Sequence, residues 1–143
     1  MKAHILVLID CSTQDISASL HASLNQHELD WDDDVSIENR HWDYWVFALD
    51  GQALDATLAK DFPNDDASVL ANAAYVGNLP DDFTTTGVIC LDGSWIDVDD
   101  FGWRMLNEPS NANNDALDQW QQRLRQVLED NRQHIGVQVI VHS

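Results

Sequence analysis

Residues 3–9, Ala-His-Ile-Leu-Val-Leu-Ile, are apolar at nearly every position. Successive side chains of a strand point to opposite faces, so a run apolar on both sets of alternate positions belongs to a central strand. This run is far shorter than the ~20 residues that span a bilayer. Asp10 follows it at once and no small-residue cleavage pattern is present, so it reads as a first strand rather than a leader and points to a cytoplasmic protein.

Ser12-Thr-Gln-Asp15 then resembles a capping box with Asp in place of Glu, and Ile16, Leu20 and Leu24 follow at helical spacing, predicting a helix over 13–26. A second strand is expected over 43–49, with Trp45, Phe47 and Leu49 on one face and Trp42, Tyr44 and Val46 on the other. Residues 52–60 and 65–76 have weak helical character. Asp92-Gly93 between apolar runs at 87–91 and 94–98 predicts a hairpin with a two-residue turn. Leu117, Trp120, Leu124, Val127 and Leu128 form the stripe of a helix over 114–131, before a closing strand at 135–142. The 143 residues fit one domain. The expected class is α+β: a mixed sheet of about five strands with two main helices packed on one face, a ferredoxin-like variant.

Charge narrows the function. Twenty-five Asp and Glu against seven Lys and Arg give −18, and 21 of the acids are Asp. The excess is confined to residues 1–120, with 23 acids and four bases; residues 121–143 carry two and three. Such a surface repels nucleic acid and anionic membranes and attracts cations or basic protein surfaces. Acid-rich, Lys-poor surfaces also serve as a general solubility device in a saline cytoplasm, so a halophilic-type housekeeping role stays open.

The chemical motifs are sparse. Asp30-Trp-Asp32-Asp33-Asp34 begins like a calcium loop, but Val35 stands where the sharp turn needs Gly and His41 where a bidentate Glu is needed. The six histidines include no HxxxH pair, and Cys11 and Cys90 lack CxxC spacing and read as small buried hydrophobes. No GxSxG elbow or Gly-rich phosphate loop occurs. No metal, cofactor or catalytic residue is assigned, and an enzyme is not favoured. The alternative is a small metal-dependent enzyme or metal-binding protein using His4, His142, Cys11 or Asp10 at the strand ends.

In an extended segment Asp30, Asp32 and Asp34 share a face at about 6.6 Å spacing, near every second phosphate of a DNA strand, whose phosphates recur about every 3.4 Å. Asp65, Asp66, Asp81, Asp82, Asp97, Asp99 and Asp100 extend the possible track. Carboxylates that far apart repel by only about 0.6 kcal/mol in water, so an exposed acidic turn is also cheap to keep. Trp31, among these aspartates, is either a lid on the sheet or an anchor for a partner. The expected partner is a basic protein surface, with neither direct nucleic-acid nor membrane binding.

His41-Trp-Asp-Tyr-Trp45, Leu91-Asp-Gly-Ser-Trp95, Phe101-Gly-Trp103 and the Trp120 helix leading to Val141-His142 together resemble a family of small bacterial and phage-associated proteins with no known activity. That family continues from the strand Trp into a Gly-Gly-Arg-Trp-like segment, where this chain has Ala48-Leu-Asp-Gly-Gln52, so a site built on that Arg would be absent. The resemblance implies no cofactor or catalytic residue. It favours a phage or mobile-element origin, and hence a nucleic-acid-mimic inhibitor of a host defence protein such as a restriction or CRISPR component.

Overall fold

The computed structural model describes residues 2–28, 42, 44–46, 63–67, 72–98 and 111–142. Strand β1 (Lys2–Ile9) lies at the centre of a mixed sheet, as its apolar run requires. On one side it pairs antiparallel with β6 (Ile135–His142) over eight residues, from Lys2↔His142 to Ile9↔Ile135. On the other it pairs parallel with β4 (Gly87–Ile89), which pairs antiparallel with β5 (Trp95–Asp97). The outer edge of β6 is shared by β2 (Tyr44–Val46), against its second half, and β3 (Ala73–Tyr75), against its first.

Among the described residues two helices complete the α+β fold: α1 (Ile16–Asn25) and α2 (Asn111–Asp130). The sequence reading places both on one face; they lie on opposite faces. Ile5, Val7 and Ile9 share one core with Ile16, Leu20 and Leu24 of α1, together with Trp42. Leu6 and Leu8, pointing the other way, share a second core with Trp120, Leu124 and Val127 of α2. Alternation along one strand therefore feeds two apolar layers, which a ferredoxin-like arrangement with helices on a single face does not provide.

Several local expectations are refined. Helix α1 starts at Ile16 with Asp15 as its cap, the Asp15 carboxylate accepting from Ala18 N–H at 3.0 Å. Ser12 does not cap because the helix begins at Ile16, beyond its reach; its hydroxyl donates to Asp10 instead. The buried stripe of α2 takes Ala116 rather than Leu117, which is 40% exposed. Trp120 is buried and its indole N–H donates to the Thr85 carbonyl at 2.7 Å, so the ring fills the core without an orphaned donor.

The helix expected over 65–76 is replaced, where described, by a turn at Asp65–Ala67, strand β3 and a 3₁₀ turn at Val76–Asn78. The free edge of β6 outcompetes weak helix propensity here. Gln138 N–H donates to the Asn72 carbonyl at 2.9 Å, and the Asn72 amide donates back to the Gln138 carbonyl. The 87–98 hairpin forms, with a three-residue loop in place of the expected two-residue turn. Gly93 N–H donates to the Cys90 carbonyl and Cys90 N–H to the Ser94 carbonyl. Gly93 takes φ +86°, which suits the residue that ends such loops.

The expected helix at 52–60, the outer parts of the 43–49 strand, the Trp45 side chain and Phe101-Gly-Trp103 lie outside the described residues. No helix among the described residues is long and apolar enough to cross a membrane.

Candidate functional site

The C-terminal end of β1 carries the chemically richest group of side chains. Register places it: Ile9 pairs with Ile135, so the residue after β1, Asp10, faces the residue before β6, His134. One carboxylate oxygen of Asp10 accepts from Ser12 N–H at 2.9 Å and from Ser12 Oγ–H at 2.5 Å. The other lies 3.9 Å from His134 Nδ1. Hydrogen bonds from the Ser12 hydroxyl and N–H hold the Asp10 carboxyl below its ordinary range. His134 Nδ1 accepts from Cys11 N–H at 3.1 Å, and its Nε2 sits 3.2 Å from the Gln133 side-chain amide. An oxygen of Asp10, the Cys11 thiol and a ring nitrogen of His134 lie within 4.8 Å of one another. Asp10 and Cys11 are exposed; His134 is mostly buried.

A second Asp-x-Ser unit follows β4, the parallel neighbour of β1. One Asp92 oxygen accepts from Ser94 N–H at 2.9 Å and Ser94 Oγ–H at 2.6 Å, which again lowers the carboxyl's pKa. Both units close the chain just beyond a parallel strand at the same end of the sheet, the end where ligands of parallel sheets are bound.

The sequence reading offers His4, His142, Cys11 or Asp10 at the strand ends as a metal alternative; the structure brings Asp10 and Cys11 together with His134 instead. His4 lies near the start of β1, at the other end of the sheet, and Lys2, not His4, is the register partner of His142. His134 was overlooked, although the antiparallel pairing of the first and last strands is the signal that finds it. Neither cysteine is the fully buried hydrophobe expected: Cys11 is exposed and Cys90 half-buried. Burial pushes the Cys90 thiol pKa up.

The acidic positions divide by use. Asp65 is half-buried, one oxygen accepting from Ala67 N–H at 2.8 Å, the other from Tyr75 N–H at 2.9 Å and the Asn78 amide at 2.8 Å. Asp97 accepts from the Trp95 indole N–H at 2.8 Å. Asp66, Asp81 and Asp82 are exposed. Asp30, Trp31, Asp32, Asp33, Asp34, Asp99 and Asp100 lie outside the described residues. Comparison of the chain with protein-family models, curated proteins and solved structures returned no match.

Proposed function

We propose that the chain is a protein-binding domain that engages a basic surface through its carboxylate-rich exterior. The observation that carries this reading is the −18 charge, which the described arginines do little to neutralise. Arg132–Glu129 is an exposed pair at 3.5 Å, three residues apart on one stretch of chain. Arg125 donates to the Asp81 backbone carbonyl at 2.8 Å rather than to a carboxylate. Asp66, Asp81, Asp82 and Asp92 are left facing solvent. A negative field of this size steers a basic partner and repels nucleic acid itself.

The finer form of the proposal is imitation of a nucleic-acid backbone, directed at a nucleic-acid-binding host defence protein. Its support is the spacing of Asp30, Asp32 and Asp34 in the sequence and the phage-associated motif pattern. The test is capture of a partner from host lysate, followed by calorimetry with the purified partner across a salt series and in competition with duplex DNA. Affinity falling steeply with salt, and displacement by DNA, are expected. Affinity indifferent to salt up to physiological strength overturns the electrostatic reading. Salt-sensitive binding that DNA does not displace overturns the mimicry alone.

A further inference from the structure

We propose that Asp10, Cys11 and His134 bind one borderline divalent cation of the Zn²⁺ class. The three donor atoms, a carboxylate oxygen, a thiol sulfur and an imidazole nitrogen, already lie within 4.8 Å of one another. Tetrahedral zinc, with bonds of about 2.0–2.3 Å, sets its ligand atoms roughly 3.3–3.8 Å apart. Closing on an ion thus asks for side-chain adjustments of about 1 Å and no movement of the sheet. The backbone holding the residues is the end of the β1–β6 ladder, the most extensive pairing in the sheet.

The donor set selects the ion. A single carboxylate cannot satisfy Ca²⁺, which takes six to eight oxygens, while thiolate with imidazole suits Zn²⁺ and its surrogate Co²⁺. Three protein ligands leave a fourth position for water, and the exposure of Asp10 and Cys11 lets solvent reach it. The surroundings orient the ligands. Ser12 holds one Asp10 oxygen through two hydrogen bonds and leaves the other on the His134 side. Gln133 contacts Nε2 through its amide nitrogen, so Nδ1 is the nitrogen that faces the ion; with Nδ1 on the metal, Nε2 carries the proton and the Gln133 amide turns its oxygen to accept it. Binding exchanges the Cys11 N–H bond on Nδ1 for the metal bond. The thiol forms an S–metal bond and releases its proton to the buffer.

A nucleophilic role for Cys11 fits the geometry less well. The N–H groups of Cys11, Ser12 and Thr13 donate to His134 Nδ1, the Asp10 carboxylate and the Asp10 carbonyl. None of these three N–H groups is therefore left for an oxyanion. The negative field of the whole chain, by contrast, concentrates cations at the site.

The test uses the full chain, reduced with a phosphine, titrated with Co²⁺ and then Zn²⁺. Expected are one Co²⁺ per chain with a thiolate-to-metal charge-transfer band, and loss of that band on adding one equivalent of Zn²⁺. Cys11→Ser abolishes the band, Cys90→Ser keeps it, Asp10→Asn weakens binding more than tenfold, and Ser12→Ala weakens it roughly tenfold. Should His134→Gln fail to fold, Cys11→Ser and Asp10→Asn, both at exposed positions, decide the matter. A band that survives Cys11→Ser, or Zn²⁺ uptake that does not saturate at one ion and ignores Asp10→Asn, overturns the site in favour of diffuse binding to surface carboxylates.

Discussion

Asp65 shows what an aspartate does here when it is half-buried: its two oxygens take the N–H groups of Ala67 and Tyr75 and the Asn78 amide, tying the turn at Asp65–Ala67 to the end of β3. Asp65→Ala leaves those donors unmet and is expected to destabilise the fold by about 1–3 kcal/mol in urea unfolding. Asp66→Ala next door, on an exposed side chain, is expected to change stability by less than about 0.5 kcal/mol. Sequence alone does not separate the two, because adjacent aspartates look identical until one of them meets a strand. The serines after Asp10 and Asp92 carry a prediction with a definite sign. Each lowers its neighbour's carboxyl below the ordinary 3.8. Ser12→Ala should therefore move Asp10 upward in an NMR carboxyl titration while Asp92 stays put. A depressed folded-state pKa means that the pairing stabilises fully at neutral pH, and its contribution is lost only as pH falls through the folded value. An Asp10 titration unchanged by Ser12→Ala would contradict the hydrogen-bond account. The candidate site was half legible at this scale. Asp10-Cys11 stands out after an apolar run, but His134 is 123 positions from Cys11 and becomes its neighbour only through strand register.

Elements divide between those whose sequence pattern decides them and those decided by a neighbour. β1, α1, α2 and β6 follow from their own periodicity and were readable. β3 is three residues, Ala-Ala-Tyr, whose own preference is helical; it is a strand because β6 offers it an open edge. The placement of the helices was written in β1 all along, since an unbroken apolar run needs cover on both sides. The order of elements suggested one layer instead, because connection order does not say which face a crossover takes. A double-mutant cycle tests the two-layer reading. Leu20→Ala and Leu124→Ala should each cost about 2–5 kcal/mol, both side chains being fully buried. With the sheet between them, the two losses should add to within about 0.5 kcal/mol in the double variant. A coupling energy well beyond that would place both leucines in one shared layer.

At the scale of the whole molecule the excess charge acts in two opposite senses. Folding crowds 25 carboxylates together against seven cations, so added salt should screen their repulsion and raise the urea midpoint of the isolated chain. The same salt should weaken the chain's hold on a basic partner. Denaturation and binding titrations on one salt axis would show the opposed slopes, and a midpoint that does not move would mean the charges are too dispersed to repel appreciably. The composition made this charge legible at once; its arrangement was not, because the fold decides which aspartates face water. The β1–β6 ladder has its own consequence in time. The central pairing joins residues 2–9 to residues 135–142, the longest sequence separation among the sheet's pairings. A nascent chain therefore holds its most apolar strand without a β6 partner until residues 135–142 leave the ribosome, and contacts of such high order form slowly. Through synthesis, the like-charged stretches between the two strands keep neighbouring nascent chains apart while β1 waits for its last neighbour.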